Sequence, residues 1–243
     1  MPDSAFPQGK SGMFAARESY HITAMKKKFC SLILLCSLLP ALGGCSGADY
    51  SSRISESRSD LFCAETEDFT LTLACVSREY PYIADGVPCT RSDYVEVVLS
   101  GGTADDYEVQ FTVAGKSYGG EMSFRNVTGD YFFSQGVSEF PEGSVSVNVA
   151  CGGETQELTA TSVKTADTLT VDEALSAAVQ AEQETIDEIG GRNFAGEFYV
   201  RLLRREKNYY YVGIIDTAGK TVSLLLDAES GEVLARRVTE GGR

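Results

Sequence analysis

Hydrophobic alternation with a period of two runs through the middle of this chain and restricts its fold more than any other feature. Phe69, Leu71, Leu73 and Cys75 alternate with Thr70, Thr72 and Ala74, and Tyr107, Val109, Phe111 and Val113 alternate with Glu108, Gln110 and Thr112. The pattern returns at Tyr118, Met122 and Phe124, and at Val145, Val147, Val149 and Cys151 against Ser146, Asn148 and Ala150. Side chains on a strand point to opposite faces in turn, so each run reads as a strand with one face buried. Turn chemistry separates them at Ser100-Gly101-Gly102, Ala114-Gly115, Pro141-Glu142-Gly143 and Gly152-Gly153.

Strand beginnings near 61, 69, 93, 106, 117, 144 and 155 give seven short strands over 61–164. That count and spacing suit an all-β, immunoglobulin-like sandwich. The chain has no tryptophan, so the antibody-type core is missing and the topology rests on strand count. On this register Cys75 and Cys151 both point inward, where an inter-sheet disulfide would fit; a free, buried thiol pair is the preferred reading, since small apolar cysteines pack without bonding.

The period then changes. Thr170-Val171-Asp172-Glu173 reads as a capping box, and behind it Leu175, Ala178, Val179, Ile186 and Ile189 recur at helical spacing until Gly190-Gly191 supplies a stop. This predicts one amphipathic helix of about five turns. Strands follow at 194–203, 209–215, 221–226 and 233–238, joined by Asp216-Thr217-Ala218-Gly219 and Asp227-Ala228-Glu229-Ser230-Gly231, whose Asp-then-Gly order is hairpin chemistry. Residues 165–240 are therefore expected to form a second, α+β domain, with the helix stripe on one face of an antiparallel sheet.

In this last third, Thr170-Val171-Asp172-Glu173-Ala174-Leu175, Tyr210-Tyr211-Val212-Gly213-Ile214-Ile215-Asp216 and Leu224-Leu225-Leu226-Asp227-Ala228-Glu229-Ser230-Gly231-Glu232-Val233-Leu234 resemble the PepSY domain. PepSY domains occur in propeptides of secreted metallopeptidases and in envelope proteins. The resemblance implies a noncatalytic module that binds or restrains a peptidase or another envelope protein, and it carries over no catalytic residues.

The amino terminus reads as an address. Met25-Lys26-Lys27-Lys28 precedes an apolar run from Phe29 to Leu39, the n-region and h-region of a signal peptide, too short for a permanent span. Leu42-Gly43-Gly44-Cys45 then resembles the bacterial lipobox. Small residues let a peptidase approach the backbone, and the thiol forms the thioether to diacylglycerol. The expectation is an upstream extension at 1–24, a signal peptide at 25–44 cut after Gly44, and a lipid on Cys45 that holds an exported protein to the extracytoplasmic side of a membrane. The Ser-rich stretch through Asp60 reads as a flexible tether, with 45–60 spanning on the order of 20 Å.

From Cys45 onward there are 16 Lys and Arg against 33 Asp and Glu, a net charge of −17. Such a surface repels phosphate backbones, which argues against nucleic acid as a partner. No polybasic run is evident either, leaving the acyl chains to hold the membrane. The single histidine, His21, lies before the signal, which removes the usual general base. Lys116, Lys164, Lys207 and Lys220 remain for a Ser–Lys pair, and Lys116 and Lys220 fall in turns where solvent keeps them ordinary. No carboxylate pair is singled out for glycoside hydrolysis, and an enzyme is not expected. Cysteine spacing matches no zinc or redox motif, so neither metal nor cofactor is expected. Glu65, Glu67 and Asp68, and Asp105-Asp106, are acidic turns with calcium chemistry but no EF-hand spacing, and read first as solvated loops. Tyr131-Phe132-Phe133 and Tyr209-Tyr210-Tyr211 read as alternate core and surface residues, with a partner patch as the other option. The expected function is that of a noncatalytic envelope lipoprotein binding an extracytoplasmic protein. The alternatives are a structural or scaffolding lipoprotein, or a small-molecule or glycan binder acting through the sandwich.

Overall fold

One strand ties the two halves of the molecule together. The computed structural model describes residues 49–104 and 106–241. Its first strand, β1 (Ile54–Glu65), pairs antiparallel with β2 (Thr70–Glu79) through most of its length. Its first half also pairs, in parallel, with a strand more than a hundred residues away, β10 (Gly196–Arg204). The long sheet continues from β2 through β3 (Arg91–Ser100), β7 (Asp130–Gly136) and β6 (Ser123–Arg125). On the other side it continues from β10 through β11 (Asn208–Asp216), β12 (Thr221–Asp227) and β13 (Val233–Thr239). All these pairs except β1–β10 are antiparallel.

A second layer is made of β5 (Lys116–Glu121), β4 (Glu108–Val113), β8 (Ser144–Cys151) and β9 (Glu154–Ser162). Its β9 rejoins the long sheet by pairing Ser162 and Thr161 with Phe62 and Cys63 of β1. Between the layers Leu71, Leu73 and Cys75 of β2 and Val95, Val97 and Leu99 of β3 meet Val109, Phe111 and Val113 of β4 and Val145, Val147 and Val149 of β8. Those of β2, β4 and β8 are the residues the alternation assigned to the inside. Among the described residues this half holds nine strands rather than seven. The additions are β7, which carries Tyr131-Phe132-Phe133, and β6, which starts where Met122 leaves β5; Phe124 of β6 is half exposed instead of continuing the buried row.

The other half buries helices on β10–β12. The Thr170 hydroxyl accepts from the Glu173 amide, and the Glu173 carboxylate accepts from the Thr170 amide, as the capping box requires. The expected single helix is two, α1 (Val171–Ala181) and α2 (Gln183–Glu188). The break falls at Glu182, whose buried carboxylate is held by Arg236 of β13 at 2.6 and 3.1 Å and by the Thr185 hydroxyl at 2.7 Å, away from a helical backbone geometry. Ala174, Leu175, Ala178 and Ile186 pack on Phe198, Val200, Leu202, Tyr210, Val212, Ile214 and Leu224. Tyr210 is the bulkiest fully buried side chain, and its hydroxyl donates to the Leu169 carbonyl at 2.8 Å, so it fills the core rather than covering a sheet face. In the β11–β12 turn, Asp216 Oδ1 accepts from the Ala218 and Lys220 amides while Gly219 takes φ +80°, a conformation costly to other residues.

Two sequence expectations are overturned. The tether over 45–60 does not extend through Asp60: Ile54, Ser55, Glu56 and Ser57 are buried, and β1 is hydrogen-bonded on both sides. The division at 164/165 does not separate two independent domains either, because β1 is a central strand for both cores and the described residues form one contact unit.

Candidate functional site

The register places one face of the long sheet away from both the helices and the second layer. Tyr199 and Arg201 of β10 alternate with the core residues Phe198, Val200 and Leu202, and pair with Glu56 and Arg58 of β1. Glu56 pairs with Arg78 of β2, and Glu96 of β3 pairs with Ala74, all on the side opposite Leu71, Leu73 and Cys75. This face, which the loop 80–90 covers at the Glu197 end, carries a charged network. Arg201 holds Glu56 through Nε at 2.9 Å and Nη2 at 2.5 Å, while Glu96 takes Arg78 at 2.5 Å and Arg58 at 3.6 Å. Arg201 stacks 4.3 Å from the Tyr199 ring, and the Tyr199 hydroxyl shares a hydrogen bond with Ser223 at 2.8 Å. Burial holds the Arg58 guanidinium below arginine's ordinary value; Glu96 and Glu56 oppose this and Arg201 and Arg78 add to it. Its Nε is buried without a hydrogen-bond partner among the described residues.

Toward the far end of β1 this face deepens into a groove of about 950 Å³. The β strands diverge there: β10 leaves β1 after Arg58, and the segment 161–165 enters beside it, with the Asn208 amide bonding the Val163 carbonyl at 2.6 Å. Leu61, Ala74, Val98 and Phe132 give the floor an apolar part, and Thr70, Thr72, Thr161 and Thr165 add hydroxyls. Six cations line it, Arg58, Arg125, Lys164, Arg204, Arg205 and Lys207, against three carboxylates, Glu65, Glu96 and Glu229. The absence of a basic run in sequence is thus corrected in space. Only Arg204-Arg205-Glu206-Lys207, at the tip of the β10–β11 hairpin, could have signalled it. Cys63 also lines the groove, 3.8 Å from the Thr72 hydroxyl, and burial pushes its thiol up, the reverse of nucleophile activation. The chemistry this face offers is the recognition of anions and hydrogen-bond acceptors.

Other residues singled out by sequence fall elsewhere. Gly44 and Cys45 lie outside the described residues. Cys75 and Cys151 are free thiols, as are Cys63 and Cys89. Seven residues of β9 separate Thr161, paired with Cys63 beside the middle of β2, from Glu154, paired with Cys151. That is about 23 Å of strand leading away from Cys75, and a disulfide needs Cα atoms within roughly 7 Å. Burial pushes the Cys75 thiol up to about 12. Lys116, the first residue of β5, is exposed and reaches the Ser138 hydroxyl at 3.3 Å. Among the described residues no three His, Cys, Asp or Glu side chains converge as metal ligands. Phe132 faces the groove under Arg125, 4.6 Å from its guanidinium, while Phe133 packs on the core.

One buried acid was not anticipated. Glu197 is fully inaccessible, and neither carboxylate oxygen meets a partner at hydrogen-bond geometry among the described residues. The loop 80–90 closes over it, with Gly86 packed on Asp216. Burial pushes its carboxyl up to about 7; Glu79 and Asp85 add to this, while the nearby Gly86 amide and Ser55 hydroxyl pull it back. An acid whose folded value is raised stays protonated in the fold while the unfolded chain releases its proton. The Glu197 contribution to stability is therefore largest below about pH 4.5 and declines as pH rises toward 7. The expected decline is about 2 kcal/mol, the full shift being discounted for relaxation of the loop. Denaturant unfolding of the wild type and of Glu197→Gln from pH 4.5 to 7.5 checks it: the difference between the two should change across that interval, and parallel curves would refute the assignment. Comparison with protein-family models, with curated proteins and with solved structures gives no match for this chain.

Proposed function

We propose that the chain is an exported, lipid-anchored and noncatalytic envelope protein that binds or restrains an extracytoplasmic protein, a peptidase being the partner class that the PepSY resemblance implies. The reading is carried by Lys26-Lys27-Lys28, an apolar run and Leu42-Gly43-Gly44-Cys45, in that order. In it the half built on β1–β9 is an immunoglobulin-like sandwich and the half built on α1, α2 and β10–β13 is a PepSY-like module, a description supported by the capping box and the following antiparallel strands. No helix among the described residues is long and apolar enough to cross a membrane, so in this reading the acyl chains are the anchor.

The start of β1 at Ile54 sharpens the geometry. Only residues 46–53 separate it from Cys45, so the sheet begins at most about 30 Å from the lipid. Expressed as the full chain in a bacterial host, the protein should yield an amino-terminal peptide that begins at Cys45 and carries an acyl mass. Cys45→Ala should move it out of the membrane fraction. An intact, unmodified peptide running through Gly44 and Cys45 in the wild type would overturn the reading.

A further inference from the structure

We infer that the partner is engaged through the basic groove on the face of the long sheet opposite Leu71, Leu73 and Cys75, and that it presents there an acidic peptide segment. The inference rests on the reading of the chain as a binding protein and names the chemistry of what it binds.

The charge distribution is the first support. The chain carries a formal charge of −14, yet this one groove gathers six cations against three carboxylates. Three of the six are already matched: Arg58 to Glu96, Arg125 to Asp130 at 2.6 Å, and Lys207 to Asp227 at 2.5 Å. Lys164 and Arg205 have no ion pair within 4 Å among the described residues, although Lys164 lies near the Asp60 carboxylate, and Arg204 donates to the Asn208 side-chain carbonyl at 3.2 Å. Unmatched cations in an otherwise acidic surface attract anions locally while the whole repels extended polyanions such as nucleic acid.

The lining chooses among anions. A volume of about 950 Å³ is far larger than a single phosphate or carboxylate requires. Leu61, Val98, Phe132 and Leu203 offer apolar surface between the cations, which suits the aliphatic stems of Glu and Asp side chains and the backbone between them. Position argues against a lipid headgroup. The groove runs along β1 from Arg58 to Glu65, so it extends from about 13 to about 36 Å beyond the end of the sheet that would be tethered, and most of it lies away from that end. The segment between Cys45 and Ile54 holds one acid, Asp49, and is no candidate to fill it.

The test uses the full chain in detergent and a fluorescent hexaglutamate peptide at low salt. Saturable binding that weakens with added salt is expected. The triple variant Lys164→Gln/Arg204→Gln/Arg205→Gln should weaken it by about tenfold or more. Arg204→Lys/Arg205→Lys should retain most of it. Arg53→Gln/Arg91→Gln/Arg192→Gln removes the same net charge outside the groove and should leave binding unchanged, with thermal melts confirming that each variant folds. The inference is overturned if hexaglutamate does not bind, or if both triple variants weaken it equally. It is overturned too if inorganic phosphate, an acidic glycan or phosphatidylglycerol vesicles bind in place of the peptide. A chain that is not acylated at Cys45 but binds hexaglutamate through these residues would sink the anchor alone, and an acylated chain that does not bind it would sink the groove alone.

Discussion

Replacing Glu96 by alanine is expected to lower the stability of the folded chain by about 3 kcal/mol, measured by denaturant unfolding at neutral pH. Glu96 is 6% exposed and serves two guanidiniums, Arg78 at 2.5 Å and Arg58 at 3.6 Å. Together with Arg201, three arginines share only Glu96 and Glu56 on this face. Without Glu96 two partly buried cations lose their counter-charge, and the nearby Glu56 carboxylate is already held by Nε and Nη2 of Arg201. The arginine side chains are about a quarter exposed, which keeps the loss toward the lower end of what a broken buried pair costs. Glu96→Gln should lose nearly as much, because it keeps the shape and removes the charge. Arg78→Met should lose less, since Glu96 still has Arg58. The discriminating variant is Arg58→Met/Arg78→Met/Glu96→Met, which leaves no unpaired charge on this part of the face and should be more stable than Glu96→Ala. A triple variant less stable than the single one would show that the network stabilises through its ion pairs rather than merely tolerating them.

That network also explains where the sequence could be read and where it could not. Strands such as Thr70–Glu79 and Ser144–Cys151 have one face in the core between the layers, so hydropathy reports them directly. Ile54–Ser57 is just as buried, although its composition reads as a tether. The Ser, Glu and Arg side chains of this part of β1 are accommodated by Arg201, which holds Glu56, by Glu96, which takes Arg58, and by the Phe198 carbonyl, which takes the Ser55 hydroxyl at 3.1 Å. Burial compensated by partners distant in sequence leaves no hydrophobic signature. The same long-range pairing, β1 with β10, erased the domain boundary that a change of period had suggested. The helix start at Thr170 and the Asp216 and Asp227 turns were legible because their hydrogen bonds close within a few residues. The groove was not: Arg58, Arg125, Lys164 and Arg204-Arg205 come from four separate stretches, and only the sheet brings them to one face. Likewise Glu197 looks like any solvent-facing acid in an alternating strand until the loop 80–90 is seen to close over it.

A methyl group at Gly213 should destabilise the fold by about 3 kcal/mol, and prior removal of one ring should abolish most of that loss. Gly213 sits in the middle of β11 between Tyr199 of β10 and Ser223 of β12. The Tyr199 ring crosses directly above it to reach the Ser223 hydroxyl at 2.8 Å, and meets the Tyr211 ring at a tilt with centroids 5.3 Å apart. A Cβ at Gly213 would lie 2.0 Å from Cζ of Tyr199 and 2.2 Å from Cε1, so the ring must be displaced. Displacement costs the bond to Ser223, the ring contact with Tyr211 and the contact with Arg201, in a place where Tyr199 is only 7% exposed. This glycine is therefore demanded by the space above it, an aromatic side chain packing on the bare backbone of its cross-strand neighbour. In the background Tyr199→Ala the obstruction is gone, so Gly213→Ala should cost under about 1 kcal/mol there, a coupling of roughly 2 kcal/mol between the two sites. Equal losses in both backgrounds would mean that the strand itself, rather than the tyrosine, refuses the methyl group.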